Sequence, residues 1–93
     1  MAYNTREYKP THITGSATTL VFTGKGILHN IVVNTTTGTV VNVYDNLGSG
    51  TTGTVAVLKS SIAENSYNFD ATIANGLYIT SGAAGDYTVT WTQ

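Results

Sequence analysis

The chain has no cysteine, and that absence alone removes disulfides and thiolate metal sites. Two histidines are too few for a convincing imidazole-based zinc site. Charge is scarce as well. Four Lys and Arg stand against five Asp and Glu, a net of −1, and charged residues make up 10% of the sequence against roughly 25% in ordinary soluble proteins. No basic stripe exists of the kind that nucleic-acid binding requires. Proline occurs once, at Pro10. No apolar run approaches the ~20 residues of a membrane span, and the opening "MAYNTREYKP" lacks the apolar centre of a signal peptide. The expectation is a soluble protein made in a cytoplasm. No segment keeps a 3.6-residue apolar period; "KSSIAEN" offers one helical turn at most.

What remains is Thr, Ser, Asn, Gly and β-branched or aromatic residues in short alternating runs. At the end of the chain Tyr87, Val89 and Trp91 alternate with Asp86, Thr88, Thr90 and Thr92, the pattern of a strand with one face in a core. "SYNF" sets Tyr67 and Phe69 on one face, and "GLYIT" does so for Leu77 and Ile79. "TVAVLK" sets Val55 and Val57 against Thr54, Ala56 and Leu58. "ILHNIVVN" and "TVVNVYD" carry apolar residues on both faces, as central strands do. "HITGSATTLVFT" is strand-like but broken by Gly15. Turn residues fall between these runs at "TGKG", "NTTTG", "DNLGSGTTG", "ANG" and "SGAAGD". About seven to eight short strands at such spacing predict an all-β fold: one small β-sandwich, jelly-roll-like or Ig-like. Its predicted core is Leu28, Ile31, Val33, Val41, Val43, Val57, Phe69, Leu77, Ile79, Val89 and Trp91. At 93 residues the chain forms one domain, burying only about 60–65% of its unfolded surface, so self-association or docking on a larger assembly would add to its stability.

Residues 1–10 differ from the rest. They hold Arg6, Glu7 and Lys9, two tyrosines and Pro10, and read as an extended N-terminal arm before a sandwich over residues 11–93. Ordering ten residues costs on the order of 10 kcal/mol, which only an interface repays. The expected contacts with a neighbouring subunit are Tyr3 and Tyr8 as amphipathic anchors and Arg6 and Lys9 as register-setting charges.

The chemical candidates are weak. "TGKG" at 23–26 lacks both the glycine spacing of a phosphate loop and the helix that must follow it. "GSGTTG" reads as a flexible loop. No nucleophile elbow surrounds any hydroxyl near His12 or His29, and His29, mid-strand between Leu28 and Asn30, reads as a structural imidazole. Asp45, Glu64, Asp70 and Asp86 fall at strand ends or loops, and Asp45–Asn46 before a Gly-rich stretch suits turn chemistry. No catalytic, cofactor-binding or metal-ligating residue is predicted; the chain reads as a non-enzyme without cofactors.

From Lys25 to Trp91, "KGILHNIVVNTTTGTVVNVYDNLGSG" followed by "NGLYITSGAAGDYTVTW" resembles the small β-sandwich structural proteins of tailed-bacteriophage virions. The shared pattern is a Gly-led strand, a "VVN" strand, a "V-Y-D" strand ending in a Gly-rich loop, then "NGL" and a closing "G-D-T-V". The resemblance implies a virion location after synthesis in the host cytoplasm. It implies capsid decoration or cementing, or a neck or tail accessory position, and partners that are the major capsid protein or another virion protein. It also implies a homo-oligomer, with a trimer favoured at capsid threefold positions, and carries over no catalytic residues. A second class remains: a carbohydrate-binding or host-adhesion module, which would use exposed aromatics such as Tyr44, Tyr78 and Trp91.

Overall fold

A computed structural model describes residues 7–48, 50, 52–81 and 85–93. Among these, eight strands and no helix are formed: β1 (Lys9–Thr14), β2 (Ala17–Thr23), β3 (Gly26–Thr35), β4 (Val41–Asp45), β5 (Thr54–Leu58), β6 (Ser66–Ile73), β7 (Gly76–Ser81) and β8 (Asp86–Thr92). They build two antiparallel four-stranded sheets, a front sheet ordered β1-β8-β3-β6 and a back sheet ordered β2-β7-β4-β5. First pairs with last, second with seventh, third with sixth and fourth with fifth. That is the winding of a jelly roll, and it excludes the Ig-like alternative. Only the β4–β5 connection stays within one sheet; the others carry the chain from one layer to the other. Gly15, where the strand-like run breaks, is such a crossing: its φ of 70° turns the chain between sheets, and its N–H bonds Gly85 O at 2.8 Å. The "KSSIAEN" segment is a turn, closed by Ile62 N–H to Lys59 O at 3.2 Å, with Ser61 at a φ of 56°.

The core lies between the sheets. From the front sheet come Ile13, Leu28, Ile31, Val33, Ile73, Tyr87 and Val89; from the back come Phe22, Val41, Val43, Leu58, Leu77 and Ile79. Each such side chain stabilises by about 1.5–3 kcal/mol when fully buried. Strand β3 shows how it buries three residues at uneven spacing. A bulge between Leu28 and Asn30, against both neighbours, resets the alternation so that Leu28 and Ile31 face the same way.

Of the predicted core positions Val57 is overturned, while Phe69 and Trp91 pack against the core less deeply than the rest. Val57 is 54% exposed, because the register shift between Val43 and Tyr44 leaves Val55 as an extra residue in β5. Beyond it Ala56 and Leu58 take the inward positions and Val57 the outward one. Phe69 is half-buried on β6, an edge strand, so no further strand covers its side. Trp91 faces inward but sits at the open end of the sandwich, half-buried against Phe22 with ring centroids 5.0 Å apart. Its indole N–H donates to Thr11 Oγ1 at 2.9 Å. Trp91→Ala is therefore expected to cost less than the about 3–5 kcal/mol of a fully buried aromatic, read as a thermal-melting shift.

Candidate interaction surface

The outward positions of the front sheet are read directly from its register. Pro10, Thr90, Asn30 and Asn68 form one row; His12, Thr88, Val32 and Ser66 form the next. Val32 and Ile27 are the apolar exceptions in a polar face. The rows are tied by side-chain hydrogen bonds. Thr90 Oγ1 donates to Asn30 Oδ1, Asn30 Nδ2 to Ser66 Oγ at 3.4 Å, and Asn34 Nδ2 to both Thr88 Oγ1 and Asp86 Oδ1 at 3.1 Å. His12 Nε2 donates to Asp86 Oδ1 at 2.6 Å, and this bond, followed by that from Asn34, holds the Asp86 carboxyl below its usual value of 3.8.

The other histidine is held in the same fashion. His29 Nδ1 lies 2.6 Å from Asp70 Oδ1 at the β3–β6 bulge, where Asp70 adopts a φ of 48°. The Tyr8 ring stacks on His29, with centroids 4.0 Å apart and 13° between planes. Each imidazole thus links two neighbouring strands through a carboxylate, β1 to β8 and β3 to β6.

Asp45 does turn work, but not on its own turn. Its carboxylate accepts from Ala74 N (2.9 Å), Asn75 N (2.8 Å) and Gly76 N (3.3 Å), clamping the β6–β7 connection to the end of β4. Burial alone would raise its pKa; the three backbone N–H groups outweigh that and lower it below 3.8. Asn46 makes the local turn, accepting from Gly48 N at 2.7 Å and donating to Thr52 O at 2.9 Å. Glu64 accepts from Thr36 N at 3.1 Å. Asp45, Glu64, Asp70 and Asp86 therefore hold four separate joints. Among the described residues no cluster of His, Asp and Glu comes together to hold a metal ion. The Tyr87 hydroxyl is buried with no hydrogen-bond partner among the described residues, and burial raises its pKa.

Of the four expected contact residues of the arm, Tyr3 and Arg6 lie outside the described residues. Tyr8 and Lys9 are placed against their own domain. Tyr8 covers His29, while Lys9 Nζ stands 5.5 Å from the centroid of the Trp91 ring. Lys9 and Pro10 are already part of β1, paired with Trp91 and Thr90, so the division expected after residue 10 falls inside a strand.

The back sheet turns a different surface outward. One row runs Leu20, Tyr78, Tyr44, Thr54, and the next Thr18, Thr80, Asn42, Val57. Leu20 is 42% exposed and Val57 54%. Tyr44 and Tyr78 stack with centroids 5.8 Å apart, and Tyr44 is only 6% exposed. Gly48 of the β4–β5 loop lies over this row, close enough that an added Cβ would sit 3.8 Å from Tyr78 Cδ1 and 3.9 Å from Leu20 Cδ2. Leu47 beside it is 64% exposed. Tyr44 and Trp91 therefore do not form an open aromatic platform. Sequence reasoning missed Leu20, Leu47 and the outward Val57; a leucine standing alone in the Gly- and Thr-rich "DNLGSGTTG" was the available signal.

Compared with protein-family models, with curated proteins and with solved structures, the chain matches none.

Proposed function

We propose that this chain is a non-enzymatic structural protein of a tailed-phage virion, a decoration or cement protein that acts through contacts with the capsid and with its own copies. The observation that carries the reading is a division of labour among side chains. His12, His29, Asp45, Glu64, Asp70 and Asp86 each fasten a strand or turn, while three of the four exposed large apolar side chains among the described residues, Leu20, Leu47 and Val57, sit on or beside one outer face. The fourth, Val40, lies in the β3–β4 connection. Exposed apolar groups on a face otherwise poor in charge suit an interface. The resemblance over residues 25–91 supports the same reading and supplies the expected site, a position on the particle surface.

The test is co-sedimentation of the purified chain with mature capsids lacking it. Saturable binding with a fixed number of copies per capsid is expected, and absence of binding at any ratio would end the reading. A chain lacking residues 1–7 separates the arm from the domain. It keeps the Tyr8–His29 stack and all of β1, so it should fold while binding capsids more weakly.

A further inference from the structure

A sandwich of two open sheets has four edge strands, here β1, β6, β2 and β5, and each leaves backbone N–H and C=O groups pointing away from its sheet. Three of the four are blunted. In β1, Pro10 removes an N–H and Lys9 places a charge beside it. In β6, the bulge at Asp70 breaks the edge in mid-strand. In β2, the register shift between Leu20 and Phe22 does the same, and the strand also packs against β1 at the Gly15 crossing. The bulge in β5 comes early, at Val55, so the stretch from Ala56 to Leu58 runs regular. That stretch has no charge and no proline, and it presents Val57 at 54% exposure.

We infer that β5 is where two copies of this chain pair, antiparallel and edge to edge, joining their back sheets into one continuous sheet. What an edge strand needs is a second strand whose donors and acceptors alternate with its own. Every copy carries one in β5, and an antiparallel pair about a two-fold axis uses the same residues on both sides. The regular stretch is symmetric about Val57. With the axis there, Val57 meets Val57 of the second copy on the outer face. Ala56 meets Leu58 of the second copy, and both of these face inward, so the two cores stay on the same side of the joined sheet. Lys59 falls opposite Val55 of the second copy, and no like charges meet. The contact is two-fold, distinct from any threefold contact around a capsid position, and it requires no capsid. A five-residue strand covers less than the roughly 1,200 Å² of a standard interface, so pairing is weak in free solution and gains from the high local concentration of an array.

Sedimentation of the full chain from about 10 µM to about 1 mM should show average mass rising toward a dimer, and Val57→Lys should move that rise at least about tenfold higher in concentration. Because the chain has no cysteine, single introduced ones give a clean readout. Directly opposed residues of an antiparallel pair have Cα atoms about 4.5–5.5 Å apart, within disulfide range. Val57→Cys should therefore form disulfide dimers under mild oxidation about tenfold faster than Thr18→Cys, an exposed position on the other edge of the same sheet. Three results would each overturn the inference: a monomer throughout the range, association indifferent to Val57→Lys, or Thr18→Cys crosslinking as fast as Val57→Cys. Circular dichroism of each variant confirms the fold; Val57 and Thr18 both point to solvent, so their substitution leaves the core intact.

Discussion

The two outer faces of this sandwich are made from similar strands and do opposite things. On the front sheet Thr, Asn, Ser, His and Asp bond one another across strands, so the polar groups are largely satisfied within the face and water meets the rest. On the back sheet a row of Leu20, Tyr78 and Tyr44 ends beside β5, whose outer edge no strand among the described residues covers, with Val57 and Leu47 exposed. A chain with few charges keeps one face polar through hydroxyl and amide ladders, while the other exposes apolar side chains. Each histidine is paired with a carboxylate on a neighbouring strand, His12 with Asp86 and His29 with Asp70.

Breaking the back row should cost most. Tyr44→Ala removes a nearly buried aromatic stacked on Tyr78, and a loss of about 3–5 kcal/mol in denaturant unfolding is expected. The matching change on the front face, Asn30→Ala, removes the bonds to Thr90 and Ser66, and about 0.5–1.5 kcal/mol is expected because water replaces them. Equal costs would erase the distinction between the faces.

Acid should weaken both faces through one carboxylate each. Asp86 and Asp45 have pKa values lowered in the folded protein, so the unfolded chain binds more protons as pH drops. Their stabilisation is fully present above the usual value of 3.8 and is lost as pH falls through the lower folded values. Melting temperature followed from neutral pH downward should stay level with respect to these groups and fall below about pH 4. Asp45→Asn should make that fall shallower. The smallest effect on stability is expected from Val57→Lys, within about 0.5 kcal/mol by thermal melting, since an exposed side chain is exchanged for another. A larger loss would mean that β5 is anchored in a way its exposure does not reveal.

The all-β class was legible because period-2 alternation survives in almost every strand, and β8 reads correctly residue by residue. The placement of Leu77, Ile79, Val41 and Val43 followed from the same pattern. What alternation could not see were register changes made by backbone bulges. The extra residue in β5 inverted the assignment of Val57 and Leu58, and the bulge in β3 was invisible in "ILHNIVV", where Leu28 and Ile31 share a face three residues apart. Tyr44 looked available because nothing local tells that it stacks on Tyr78 of a neighbouring strand and is nearly buried. Asp45 was recognisable as a turn residue, yet its turn lies 29–31 residues further along the chain, a distance only the fold can close. The choice between jelly-roll and Ig-like winding likewise rests on strand order, which short runs of similar composition do not encode.

If copies of the chain meet at the β5 edge of the back sheet while the front face stays solvated, concentration should change only that edge. Amide hydrogen exchange, compared between dilute and concentrated solutions of the full chain, tests this directly. Slower exchange on concentration across residues 54–58, with no change at the front-sheet edges 9–14 and 66–73, is the predicted result. Protection appearing at β1 or β6 while β5 exchanges at its dilute rate would contradict it.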